Sequence, residues 1–176
     1  ETRRLLATPR GDEAKADVRE DVRAMLADFS DAAGRPLSPE TAPALAALLG
    51  KMRPDVAAEV TAAKNSWRRL RPFQIDRGAI CQPRAQVADS YDYPSGHTSW
   101  GTSVALVLAE LMPERATQIL ARGRAYGDSR YICGAHNYSA VEAGRLAAAS
   151  IVARLHGDAA FRHDLDVARA GLKSGA

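Results

Sequence analysis

The sequence predicts an all-α fold, a compact bundle of closely packed helices. Three observations point there: apolar residues recur at three and four positions in segment after segment, strand-like alternation and internal repeats are absent, and several of the segments are rich in alanine. Alanine-rich helices each bury little area, so they must approach their neighbours closely. The composition agrees with one ordinary globular domain: 176 residues, 46% hydrophobic and 26% charged. The expected unit is a single domain over residues 1–176.

The elements follow in order. Val18, Val22, Met25, Leu26 and Phe29 form one helical stripe, stopped by Gly34 with Pro36 beyond it. A second, shorter helix is expected over Thr41 to Met52. A third starts at Asp55, carries Val56, Val60, Ala63, Trp67 and Leu70, and must end by Pro72, because the residue before a proline is pushed out of the helical region. From Phe73 to Tyr93 no period persists, which predicts a long functional loop. Thr98 to Leu111 is apolar, rich in small residues and closed by Pro113, the pattern of a helix buried on most sides. Helices from Glu114 toward Tyr126 and from Ser139 to Leu155 complete the set.

Several function classes are excluded at this level. The most continuous apolar run, Val104 to Met112, is interrupted by Glu110 and falls far short of the roughly 20 residues needed to cross a bilayer. A net charge of +3 is only mildly basic, and 6% aromatics is too few for a base-stacking surface, so neither membrane nor nucleic acid is an expected partner. Cys81 and Cys133 form no CxxC pair and have no histidine at metal-ligand spacing, which leaves one disulfide or two free thiols. The chain starts at Glu1 rather than methionine, so a processed or truncated chain is expected.

The chemistry lies in three separated segments. Lys64 and Arg71 are seven residues apart, about two helical turns, and would leave one face together to hold an anion. Pro94-Ser95-Gly96-His97 leads directly into the buried helix, whose first amides and dipole suit a phosphate, with Gly96 permitting close approach and Ser95 equally placed to cap the helix. His97 at the lip can give a proton to a leaving group. Ser129-Arg130 and His136 supply a guanidinium fork and a nitrogen nucleophile, competent if its second nitrogen is held. No carboxylate cluster accompanies them for magnesium or calcium. Three cations, a helix start and two histidines suit metal-free phosphoryl transfer by positioning and charge neutralisation.

Lys64-Asn-Ser-Trp-Arg-Arg-Leu-Arg71-Pro72, Pro94-Ser95-Gly96-His97 and Ser129-Arg130-Tyr-Ile-Cys-Gly-Ala-His136 together resemble the signature KxxxxxxRP, PSGH, SRxxxxxH. That is the signature of the type 2 phosphatidic acid phosphatase and vanadium haloperoxidase superfamily, and the flanks from Leu6 to Leu155 are similar to its class A bacterial non-specific acid phosphatases. The resemblance implies an all-α bundle of that type, a periplasmic or secreted setting, small phosphomonoester substrates, and hydrolysis through a phosphohistidine without a metal cofactor. By position, His136 would be the nucleophile and His97 the general acid. Lys64, Arg71, Arg130, Ser95 and Gly96 would hold the phosphoryl oxygens, and vanadate could take the place of phosphate. It also implies a Cys81–Cys133 bridge pinning the long loop beside His136, and it leaves a homo-oligomer open. The stretch before the first motif is shorter than is usual for the family.

The departure follows the nucleophile. The family continues HxxxD, with the aspartate orienting the ring, whereas this chain reads His136-Asn137-Tyr138-Ser139-Ala140. Glu142 lies roughly 200° further round a helix and cannot replace it. The expectation is attenuated turnover, with Ala140 either engineered or natural, and a gain of at least tenfold in kcat on Ala140→Asp. Two other readings share the same residues, a vanadate-dependent haloperoxidase and a phosphate-binding protein without turnover. Tyr91, Tyr93 and Tyr138 are candidates for an aromatic wall beside the leaving group.

Overall fold

The computed structural model describes residues 2–76 and 78–174, and among these there are helices and no strands. After a 3₁₀ turn at Thr2–Ala7 come α1 (Pro9–Ala16), α2 (Val22–Ala33), α3 (Pro43–Trp67), the short α4 (Pro72–Asp76), α5 (Gly96–Leu111), α6 (Ala116–Ile132), α7 (Tyr138–Leu155) and α8 (Ala159–Ser174). The all-α expectation holds. The buried helix α5 lies at the centre, packed mainly on α6 and α7, while α3 packs on α8 and α5. Met25, Leu26 and Phe29 of α2, Leu45, Leu48, Leu49 and Met52 of α3, and Trp100, Val104 and Leu108 of α5 share one core.

The close packing expected of small residues occurs where α5 crosses α6. A Cβ on Gly101 would come within 2.2 Å of the Tyr126 ring, and one on Gly123 within 2.4 Å of Ala105 Cβ, so both positions exclude any side chain. Helix ends follow their local chemistry. The Asp21 carboxylate accepts from the Ala24 amide to start α2, and Gly34, at φ 71°, closes it. Val18 of the expected stripe lies before this helix.

The two helices expected over Thr41 to Met52 and from Asp55 are one, α3, which runs through Pro54. Proline there removes one backbone hydrogen bond and crowds the preceding turn, at a cost of about 3 kcal/mol. Leu45, Leu48, Leu49 and Met52 before it and Val56 and Val60 after it all face the same core, and burying them outweighs that cost. The same helix ends at Trp67, earlier than expected, with Arg68 in the left-handed conformation (φ 47°) and its amide bonded to the Lys64 carbonyl. Arg71 therefore lies past the helix rather than two turns along it. The long loop contains α4 and a 3₁₀ turn at Arg84–Gln86, and α6 extends to Ile132, carrying Ser129 and Arg130. Helix α8 was not expected: its stripe of Phe161, Leu165, Ala168 and Leu172 is one residue wide per turn in an otherwise polar segment, yet all four are buried.

A buried polar knot ties the first twenty residues to α6. Asp17 is fully buried, takes Arg122 Nη2 at 2.5 Å and accepts from the Ser129 hydroxyl, while Arg10 Nη2 reaches Ser129 Oγ at 2.9 Å. With every partner charged or hydroxylic, the buried carboxylate is compensated. Its position also presents Val18 and Glu20 to the functional cavity. Cys81 and Cys133 are joined, their Cα atoms 4.9 Å apart, which fastens the long loop to the end of α6.

Candidate active site

A cavity of about 720 Å³ opens between α3, the start of α5, the end of α6 and the long loop. Lys64, Arg71, Gly96, His97, Arg130 and His136 all line it, so the three sequence segments converge on one space. Ser95 does not. It is fully buried as the cap of α5, its hydroxyl oxygen accepting from the Thr98 amide and hydroxyl and its amide donating to the Ala140 carbonyl at 2.9 Å. The capping alternative for Ser95 is therefore the one realised, with Gly96 rather than Ser95 at the cavity surface.

The cations are held out of water. Lys64 is 8% exposed, donates to the Tyr91 carbonyl, and has its pKa lowered to about 7 by burial and then by the neighbouring charge of Arg71. Arg71, lowered to about 10 chiefly by burial, spreads its fork over Ser90 O (2.6 Å), Ser90 Oγ (3.1 Å) and Ala135 O (3.0 Å). Arg130 is fully buried; one end donates to Gln82, the neighbour of Cys81, while its Nε and Nη1 have no hydrogen-bond partner among the described residues. Unmatched guanidinium nitrogens on a residue that lines the cavity are a bias for an anion.

His136 is 3% exposed and its two nitrogens have opposite surroundings. Nε2 lies 3.0 Å from Arg71 Nη1, and Nδ1 lies 2.9 Å from Asp92 Oδ1. Guanidinium only donates and carboxylate only accepts, so the proton belongs on Nδ1 and the lone pair on Nε2. Burial, aided by Arg71, Lys64 and Arg130, pulls the ring down to about 3 against the opposing pull of Asp92, which keeps it neutral.

Asp92 is the residue that sequence reasoning missed. The expectation of a missing carboxylate at this ring was wrong: Ala140 offers none, and Glu142, as expected, points elsewhere, pairing with Arg145, but Asp92 reaches Nδ1 from the loop before α5. The tyrosine wall is also not formed. Tyr93 stacks edge-on against Trp67 at 5.4 Å beneath Arg69, Tyr138 packs on Tyr131 at 5.5 Å, and the Tyr91 carbonyl accepts from Lys64; none of the three lines the cavity, whereas Trp100 does.

His97 faces the same space with Nε2 2.9 Å from the Val18 carbonyl and Nδ1 3.3 Å from Glu20 Oε2. A carbonyl can only accept, so Nε2 carries a proton and Nδ1 is the nitrogen that titrates. Burial, then Arg130, holds the ring's pKa well below the ordinary histidine range. Beyond the histidines, Val56, Val60, Val87 and Trp100 make an apolar wall, with Arg53 paired to Glu20 at 3.0 Å further out.

A bundle that buries three cations around a ring nitrogen held as an unprotonated acceptor belongs to the class of phosphoryl-handling proteins. Comparison with known proteins narrows this. Residues 42–162 match the PAP2 superfamily, which spans all three segments. The chain is 41% identical over 174 residues to an acid phosphatase of Zymomonas mobilis subsp. mobilis, covering 98% of this chain and 66% of that protein. It is 38% identical over 170 residues to a non-specific acid phosphatase of Providencia stuartii and 37% over 171 residues to one of Salmonella typhimurium, covering 95% and 96% of this chain and 68% of each relative. It thus spans about two thirds of the length of these relatives. The chain belongs to the PAP2 superfamily, within its acid phosphatases, a group of phosphoric monoester hydrolases.

Proposed function

We propose that this chain hydrolyses small phosphate monoesters through a phosphohistidine on His136, without a metal ion. The observation that carries this is the fully buried Arg130, with two guanidinium nitrogens left unmatched, beside Lys64, Arg71 and the lone pair of His136 in one cavity. The three cations and the Gly96 amide take the phosphoryl oxygens. The negative charge of the bound ester favours the protonated ring of His97, with the second proton on Nδ1. Nε2 of His136 exchanges its contact with Arg71 Nη1 for phosphorus and forms the N–P bond; the ester P–O bond breaks, and its electron pair stays on the leaving oxygen, which takes the Nδ1 proton of His97. His97 then accepts a proton from water as that water attacks phosphorus, the N–P bond breaks, its pair returns to Nε2, and phosphate leaves. The apolar wall of Val56, Val60 and Trp100 receives the alcohol portion of the ester.

Among the described residues no group of three or more histidine, cysteine or acidic side chains could hold a metal ion, and in this reading the cations do the electrostatic work. The disulfide fits a periplasmic or secreted setting. Hydrolysis of a chromogenic aryl phosphate in excess chelator, with inhibition by vanadate, is the expected result. Alkaline quench during turnover of ³²P-labelled substrate should trap label on the parent protein and none on His136→Ala. Chelator-sensitive turnover, or unchanged turnover in His136→Ala, overturns the reading. The contact of Asp92 with His136 Nδ1 supports turnover over a binding protein without it, and measurable hydrolysis separates the two.

A further inference from the structure

We infer that Asp92 is the positioning residue for His136, and that in this chain the orienting carboxylate comes from the loop before α5 instead of from position 140 on α7. This rests on His136 being the nucleophile, and it goes further by replacing the family's HxxxD aspartate with a residue 44 positions upstream of the ring.

The geometry is that of a fixed orienting group. Asp92 is fully buried, and each of its oxygens has two donors: Oδ1 takes His136 Nδ1 at 2.9 Å and the Asn137 amide at 3.1 Å, and Oδ2 takes Asn137 Nδ2 and Arg69 Nε, both at 2.8 Å. Its backbone amide is tied to the Arg69 carbonyl at 2.8 Å. Burial alone would raise its pKa, but the hydrogen bonds from His136 and Asn137 win and hold it below the usual carboxylate range. Such a carboxylate stays ionised, cannot rotate away, and stabilises the positive charge that develops on the ring when Nε2 attacks.

The loop and the vacant family position are neighbours. Three residues after Asp92, the Ser95 amide donates to the carbonyl of Ala140, which joins this loop to the first turn of α7. Ala140 is fully buried. With Asp92 already on Nδ1, an aspartate at 140 adds volume and a second negative charge to a packed, dry region, so Ala140→Asp gains nothing. Under this inference neither a tenfold gain on Ala140→Asp nor attenuated turnover in the parent is expected.

The test begins on the unaltered protein. ¹⁵N NMR of the histidines at pH 7, with the His136 signals assigned by their loss in His136→Gln, should show Nδ1 protonated and Nε2 unprotonated; the opposite tautomer overturns the inference. Asp92→Asn should lower kcat on an aryl phosphate between about 10- and 10⁴-fold, the range for orienting partners. Its vanadate inhibition constant, which also reports that it folds, should stay within about threefold of the parent, because the cations are untouched. Ala140→Asp should leave kcat at or below the parent value. A parent-like kcat in Asp92→Asn, or a tenfold gain in Ala140→Asp, overturns the inference. If His136→Ala is inactive while Asp92→Asn is not, only the inference falls; if His136→Ala keeps its turnover, the phosphohistidine reading falls with it.

Discussion

Lys64 shows how burial turns a residue into a condition on function. Its pKa of about 7 means that it is charged below that pH and neutral above it, so the share of anion affinity it provides is present in acid and lost as pH rises through 7. Arginine keeps its charge throughout this range. We expect the phosphate inhibition constants of Lys64→Arg and the parent to diverge by about tenfold between pH 6 and pH 8, the parent weakening more, since roughly one unit above its pKa removes nine-tenths of the charge. Because phosphate's own titration is common to both proteins, the ratio isolates the lysine; a ratio constant with pH would show that Lys64 stays charged. At this scale the cations and both histidines were legible, because each lies in a short motif whose spacing is local. Asp92 was not. Nothing within a helical turn of it signals a partner, and its contact with His136 exists only because the loop folds back between Arg69 and Asn137. Ser95 kept two readings for a related reason, since a serine before a helix looks the same whether it caps the helix or binds a ligand.

Among the elements, α5 sets the geometry. Its first turn presents Gly96 and His97 to the cavity, and its crossing with α6 places Arg130 opposite them. That crossing depends on Gly101, which abuts Tyr126, a ring anchored by its hydroxyl to the Arg19 carbonyl at 2.9 Å and stacked 6.4 Å from His97. Gly101→Ala should therefore destabilise the fold by about 3 kcal/mol, a fall of roughly 6 to 12 °C in Tm for a chain of this size. Gly50→Ala is the contrast: a Cβ there meets nothing within 4 Å, and alanine in a helix is favoured by about 0.5–1 kcal/mol, so thermal unfolding should move slightly upward. Equal shifts for the two variants would refute the close-crossing account. The positions of α2, α5, α6 and α7 were legible because their apolar stripes are wide and their ends are marked. The continuity of α3 through Pro54 was hidden, because a local rule about proline was overruled by core contacts on both sides. The narrow stripe of α8 became recognisable only against the surface of α3 that it covers.

For the molecule as a whole, the site is a cost to stability that its ligand removes. Lys64, Arg71 and Arg130 are buried together with His136, beside the half-buried His97, and the fold holds both histidines neutral. Unfolded, a histidine binds a proton below about pH 6.5. Folded His136 does so only near 3, so across the interval from 6.5 to 3 the unfolded chain holds more protons, and stability falls as pH falls. Asp92 acts in the same direction: its lowered pKa adds stability above the usual carboxylate range and forfeits it in stronger acid. A bound phosphate or vanadate reverses the balance, because its negative charge compensates the three cations and favours protonated His97. An anion that binds only the folded state adds about 2.7 kcal/mol at one hundred times its Kd. We therefore expect Tm at pH 5 to lie below Tm at pH 7 without anion, and saturating vanadate at pH 5 to raise it by roughly 5 to 11 °C. Lys64→Met should abolish most of that rise while increasing the anion-free Tm, since it replaces an unpaired buried charge with an apolar chain of similar length. Differential scanning fluorimetry over the two pH values, with and without vanadate, separates these terms. An anion-free Tm that drops in Lys64→Met would mean that the lysine's bond to the Tyr91 carbonyl contributes more to the fold than its buried charge costs.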